Sequence, residues 1–205
     1  MTTNKIILKG VLMHDFKIDH CVSGENFLSN MIKVDRLSGI HDELPVLISE
    51  RLLKNNKISK DSEVALFGQL RSVNIVENGK SKLLKRLFVS DILDDCDEVN
   101  HVELFGYLCA PPVYRTTPKG REICEVILAV SRKYGKNDYI HCIAWGRNAR
   151  FAETFAVGDK IHVIGRFQSR EYDKVLPTGT VKLVAYEVST QLIELYTEVQ
   201  NDSSN

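Results

Sequence analysis

A chain of 205 residues with 43% apolar and 26% charged side chains has the make-up of a soluble globular protein, in one large domain or two small ones. No apolar run approaches the roughly 20 residues of a membrane-spanning helix. Residues 1–10 show no basic region leading into an apolar core, so neither a membrane anchor nor a secretory signal is expected. The formal net charge of zero hides an uneven distribution: residues 115–182 hold 13 Lys and Arg against 7 Asp and Glu, while residues 1–98 hold 14 against 15. A basic second half keeps nucleic acid open as a partner.

Five scattered cysteines (Cys21, Cys96, Cys109, Cys124, Cys142) form no C-x-x-C pair. That spacing argues against a disulfide framework and against a zinc site, and fits reduced thiols in a cytosolic protein.

Taken in order, the chain repeats itself. Asn4-Lys5-Ile6-Ile7-Leu8-Lys9-Gly10-Val11-Leu12 matches Asn100-His101-Val102-Glu103-Leu104-Phe105-Gly106-Tyr107-Leu108 at an offset of 96. The same offset pairs Val34, Arg36, Gly39, Asp42, Leu47 and Arg51 with Val130, Arg132, Gly135, Asp138, Ile143 and Arg147. It slips to 97 for Val64, Leu66 and Gly68 against Ile161, Val163 and Gly165, then returns to 96 for Leu87 and Leu183. Collinear matches along a whole half read as two copies of one domain.

Each copy opens with an alternating strand whose glycine marks a bend or bulge. Apolar runs at residues 27–34 and 44–48, or 125–131 and 139–145, supply the second and third strands. A short helix is predicted over 148–155, with Gly158 beyond its end, and residues 51–58 fill the same slot in the first copy. A fourth strand follows at 63–71 or 160–168. The last hairpin turns at Asn78–Gly79 or near Pro177–Gly179 and returns over 87–93 or 181–188. Five strands with a helix between the third and fourth describe an all-β chain of two tandem OB-fold Greek-key barrels. The predicted domains are 1–95 and 96–199, joined by the acidic stretch at 91–100, with a disordered polar tail at 200–205.

Residues 126–150 carry the chemistry. Tyr134, Tyr139 and Trp145 are threaded there among Arg132, Lys133, Lys136, Arg147 and Arg150. Aromatic faces interleaved with positive charge hold unpaired bases while neutralising their phosphates. A tryptophan in a barrel strand also serves as core, and Trp145 alone is read equally well either way. Tyr139 and Tyr172 also suit a barrel rim, whereas Tyr134, beside Arg132, Lys133 and Gly135, is not expected to be buried.

Residues 100–188 resemble the bacterial single-stranded DNA-binding protein family. The resemblance rests on Asn100-x-Val102-x-Leu104-x-Gly106-x-Leu108, Pro112-x-x-Arg115-x-Thr117-x-x-Gly120 and Leu128-Ala129-Val130-x-Arg132. It continues through Asp138-Tyr139-Ile140-x-Cys142-Ile143-Ala144-Trp145-Gly146 and Val157-Gly158-Asp159-x-Ile161-x-Val163-x-Gly165-Arg166. The resemblance implies base stacking on Tyr134, Tyr139, Trp145 and Tyr172, with phosphate contacts from Arg115, Arg121, Arg132, Lys133, Arg147, Arg166 and Arg170. It implies sequence-tolerant binding of single-stranded DNA in replication, recombination or repair, in a cytoplasmic, nucleoid-associated protein. Stacking and phosphate contacts would serve RNA as well. Family members with two OB domains per chain form dimers, so a homodimer presenting four barrels is expected, with replication proteins as further partners. The polar stretch at 200–205 does not match the acidic, apolar tip with which the family recruits replication enzymes.

The first copy has Ser38, Glu43, Ser49 and Ile75 at the four matching places, none of them aromatic. It is therefore expected to lack the stacking platform and to pack against its partner or bind another protein. The alternative reading of the chain is a primosome- or replication-accessory OB protein working through protein contacts. An enzyme is not expected, since no G-x-x-x-x-G-K-[ST], G-x-G-x-x-G or H-E-x-x-H is present and the six histidines lack ligand spacing, so no cofactor or metal is implied.

Overall fold

The alternating runs fold as strands, each burying one row of side chains and exposing the other. The fold was obtained as a computed structural model, which describes residues 3–77, 79–94, 96–176 and 179–196. The first half comprises β1 (Asn4–Leu12), β2 (Lys17–Val22), β3 (Glu25–Asp35), β4 (His41–Ser49), α1 (Glu50–Asn56), β5 (Glu63–Glu77) and β6 (Lys80–Leu93). The second repeats the order with β7 (Asn100–Leu108), β8 (Val113–Thr116), β9 (Glu122–Ser131), β10 (Asn137–Trp145), α2 (Arg147–Ala152), β11 (Lys160–Leu176) and β12 (Gly179–Leu195). The all-β OB architecture stands, with one short strand more per half than the sequence reading gives. β2 and β8 pair only with β3 and β9 and are mostly exposed, so they carry little of the apolar alternation that marks a strand. Asn78, Pro177 and Thr178 of the two expected hairpin turns lie outside the described residues, as does the stretch at 200–205. The flanking pairs Glu77↔Lys80 and Leu176↔Gly179 close both hairpins.

One edge of β1 holds β5, while the other holds β7 over residues 4–8 and then β3 at Val11↔Lys33 and Leu12↔Ile32. Gly10 sits at that change of partner, where a Cβ would collide with the Lys33 carbonyl oxygen. β7 makes the equivalent change from β1 to β9 beside Gly106. Each half thus closes on itself, and antiparallel β1–β7 pairing joins the two barrels into a continuous sheet of twelve strands. Ile6 pairs with Val102, its own repeat partner, and Asn4 and Leu8 pair with Leu104 and Asn100. A local two-fold axis therefore passes through the Ile6–Val102 pair.

The axis organises the junction. Asn4 donates to the Leu70 carbonyl and accepts from the Leu70 amide, both at 2.8 Å. Asn100 does the same to Phe167, at 2.7 and 2.9 Å. Farther out, each half grips the other's long hairpin. Arg36 donates to both carboxylate oxygens of Asp42 and, at 3.1 Å, to the Ser169 carbonyl. The Ser169 amide and hydroxyl return donations to Asp42 at 2.7 and 3.1 Å. In the mirror copy Arg132 holds Asp138 with both ends of its guanidinium and donates to the Ser72 carbonyl at 2.8 Å. The Ser72 amide donates to Asp138 at 2.5 Å. Both aspartates are wholly buried, and burial alone would raise the Asp42 carboxyl. The Arg36 guanidinium and the Ser169 donors outweigh burial and hold it below the usual carboxylate range.

Apolar residues from both halves pack one continuous core. All five cysteines are free, and burial pushes the thiols of Cys124 and Cys142 up to about 11 and about 12, so they stay protonated. Among the described residues no helix is long and apolar enough to cross a membrane. Among the same residues no group of three or more His, Cys, Asp and Glu side chains could hold a metal ion.

Asp42→Ala leaves Arg36 without its counter-charge in the junction, which should cost about 3–5 kcal/mol in urea unfolding; Arg36→Met with Asp42→Leu should recover most of that loss. Because the Asp42 carboxyl is depressed, its contribution is complete above the unfolded value of about 4 and is lost as pH falls through the folded value. Unfolding measured from pH 6 down to pH 2 should therefore show a shallower acid slope in Asp42→Asn than in the parent.

Candidate nucleic-acid interface

β10 turns alternate residues to opposite sides. Asp138, Ile140, Cys142 and Ala144 are fully buried in the barrel, so Tyr139, His141, Ile143 and Trp145 face the other way. Residues opposite one another in paired strands share a face. Trp145 lies opposite Ile123 of β9, which lies opposite Arg115 of β8. Ile143 neighbours Ser189 of β12, and Ser189 lies opposite Arg166 of β11. Arg170 and Tyr172 continue the same row of β11. One sheet face therefore carries Tyr139, Trp145, Tyr172, Arg115, Arg166 and Arg170.

Trp145 is half-buried, and its indole Nε1 donates to Ser189 Oγ at 3.1 Å. It lines a cleft of about 200 Å³ together with Arg115, Arg170, Ile143 and Glu187. Tyr139 is 44% exposed and Tyr172 38%, and the Arg170 guanidinium lies 5.7 Å from the Tyr172 ring centre. Tyr134 stands apart at the β9–β10 turn, 98% exposed, with φ 68° and ψ 30°. A non-glycine residue held in the left-handed region carries backbone strain, and such strain collects at functional positions.

The basic candidates divide. Lys133, Arg121 and Arg147 are exposed. Arg115 pairs with Glu125 and remains half-exposed, while Arg170 donates to both oxygens of Glu187 at 3.0 and 3.1 Å. Arg166 is half-buried, donates to Gln168 at 3.3 Å, and is depressed below its ordinary value by burial and then by the charge of Arg36. It lines a separate cleft at the junction of the two halves with Lys9, Lys33 and Arg36. Arg132 goes elsewhere: its guanidinium is occupied by Asp138 and the Ser72 carbonyl at the junction.

Two residues of this face escape sequence reasoning. Glu187 is nearly buried between Gln168 and Arg170. Lys85 of β6, in the first half, lies within range of its charge; burial lowers the Lys85 ammonium and the Glu187 carboxylate partly restores it. His141 is lowered by burial and then by Lys85, so it stays neutral near pH 7. Lys85 lies 102 residues from Glu187, and only a three-dimensional fold brings the two together.

Comparison with known proteins bears on this face. Single-stranded DNA-binding protein 1 of Staphylococcus aureus (strain COL) is 35% identical over 82 residues, which are 37% of this chain and 49% of that protein. The single-stranded DNA-binding protein of Halalkalibacterium halodurans is 34% identical over the same length and shares. The chain thus spans about half the length of the curated relatives it matches. Over nearly the whole chain the fold is similar to that of the single-stranded DNA binding protein from Thermus aquaticus. The wild-type crystal structure superposes with a TM-score of 0.70 at 21% identity, covering 95% of this chain and 93% of that one. A deletion mutant of the same protein gives 0.73, also at 21% identity, with 98% of both chains covered. At that identity the likeness establishes the shared fold. Residues 99–195, which contain the whole aromatic and basic face, match the single-strand binding protein family.

Proposed function

We propose that the chain binds single-stranded DNA with little regard to sequence, performs no catalysis, and uses the outer face of its second barrel as the main site. The observation that carries this reading is Tyr134, presented to solvent on a strained backbone at the rim of a face that already shows Tyr139, Trp145 and Tyr172. A ring with no packing partner has no structural reason to sit in the left-handed region, whereas a base gains about 1–3 kcal/mol by stacking on it. Lys133, Arg121 and Arg147 supply phosphate contacts from the periphery, and Arg115 and Arg170 do so beside Trp145. Arg132 is left to the junction.

A dimer of two chains completes the assembly. The outward row of the six central strands shows Ile7, Phe67, Ile164 and Leu192, with Leu192 37% exposed. On that row Lys5 is paired with Glu103, and His162 with Glu103 and Glu194. Such a face is apolar enough to be covered by a second copy of itself.

Tyr134→Gly separates a binding role from a structural one. Relief of the left-handed strain should leave stability unchanged or raise it by about 1 kcal/mol. Affinity for oligo-dT should fall by about 1–3 kcal/mol, for one lost stack. Equal affinity of variant and parent in a fluorescence titration would remove Tyr134 from the site. Arginines should separate in the same way. Arg121→Gln should reduce the slope of log K against log salt by about 0.7 on a single strand, while Arg132→Gln should chiefly lower the unfolding midpoint. Light scattering at micromolar concentration should give twice the 23.2 kDa chain mass.

A further inference from the structure

The first half was expected to have no stacking platform, because Ser49 stands where the second half has Trp145. The registers show what replaces it. Phe27↔Ser49 in the first half corresponds to Ile123↔Trp145 in the second. Leu47↔Phe88 corresponds to Ile143↔Ser189, an offset of 101 in the last strand rather than 96, because the second hairpin is longer. Aromatic and serine have therefore exchanged places: Trp145 beside Ser189 in one barrel, Ser49 beside Phe88 in the other. Phe27 adds a second ring where the second barrel has Ile123.

These rings form a cluster. Phe27 and Phe88 have ring centres 5.7 Å apart, and His20 stacks on Phe27 at 5.1 Å with planes 11° apart. The Arg71 guanidinium lies 5.7 Å from the Phe88 centre and is itself held by Asp138 of the second half at 3.5 Å. Both phenylalanines are half-buried, and both line a cleft of about 440 Å³ with Ser49 and Arg51, the latter exposed. That volume lies in the range of small-molecule sites. Acidic neighbours at the rim are compensated: Asp19 by Arg86 and His20, Glu25 by Arg51 at 3.9 Å, and Glu50 by Lys54 at 2.8 Å. Phe27 and Ser49 line this cleft as their repeat partners Ile123 and Trp145 line the other, in the same twelve-stranded sheet.

We infer that the first barrel carries a relocated platform, Phe27 and Phe88 with Arg51, that stacks bases of the same DNA strand held by the second barrel. This rests on the single-strand-binding reading above and extends it to the half that lacks the aromatics matching the family. Aromatic faces with an exposed cation at the rim of a groove suit an unpaired strand and its phosphates.

The test uses the full chain, oligo-dT of two lengths, and Trp145, the chain's one tryptophan, as a reporter of the second barrel. An oligonucleotide of about 10 nucleotides fits one barrel, and one of about 30 must engage both. Phe88→Leu keeps apolar volume and removes the ring face; Phe27→Leu and Phe88→Ala serve as second and third variants. Each should bind the short oligonucleotide and quench Trp145 like the parent, but bind the long one about tenfold more weakly, as for one lost base stack. The nucleotide length occluded per chain should shorten as well. A parent that binds both, with Phe88→Leu and Phe27→Leu unchanged on the long one, overturns this inference alone. A parent that binds neither overturns the function proposed above and this inference with it.

Discussion

Antiparallel pairing of β1 with β7 is the constraint on which the rest of the molecule depends. An isolated barrel leaves one edge of its first strand partly open, because β3 takes up only its last two residues. Unpaired backbone groups on a strand edge are costly to bury and hazardous to expose. Pairing residue for residue around Ile6 and Val102 closes both edges at once and fixes a two-fold relation within a single chain. Every other junction contact follows from that relation. The long β5–β6 and β11–β12 hairpins must each fall across the opposite half, which brings Ser72 to Asp138 and Ser169 to Asp42. Buried carboxylates need full compensation, and each receives an arginine fork and at least one serine donor.

The junction also sorts the arginines. Arg36 and Arg132 occupy the same slot in their barrels and do the same work, anchoring a buried aspartate against the other half's hairpin. In the linear sequence Arg132 sits among Lys133, Tyr134 and Lys136 and looks like a phosphate ligand. What betrays it is Asp138 six residues on, a pairing repeated at Arg36 and Asp42. A basic residue repeated in a half read as unsuited to DNA is better explained by a duty both halves share.

Much of the fold was legible because barrel strands alternate strictly and barrel closure demands glycine at fixed points. Gly10 and Gly106 announce the bends, and Gly68 and Gly165 the bulges where β5 meets β6 and β11 meets β12. β2 and β8 were illegible because exposed strands carry no burial pattern. The match of Leu87 to Leu183 was out of step, since Leu87 occupies the position of Val188; the inserted residues fall in a hairpin whose outer part carries no regular burial. At the candidate site the aromatics of β10 and β11 could be read from spacing. Lys85 could not, because Glu187, whose charge acts on it, belongs to the other half. Phe27 and Phe88 were missed for a related reason: position-by-position comparison finds a lost aromatic, but not one moved to a neighbouring strand.

The exchange between Ser49 and Trp145 has a local cause. Ser49 ends β4 and caps α1, its hydroxyl accepting from the Leu52 amide at 3.3 Å. α1 begins one position earlier relative to its strand than α2, so the residue at this register must supply a cap. In the second barrel α2 starts behind Gly146, with φ 54° and no side-chain cap, which leaves position 145 free for an indole. A serine that caps a helix cannot also offer a ring to the sheet face. Apolar cover for that end of the first barrel then has to come from the flanking strands, and β3 and β6 supply Phe27 and Phe88. Helix capping in one turn thereby decides on which strand a barrel carries its aromatic surface.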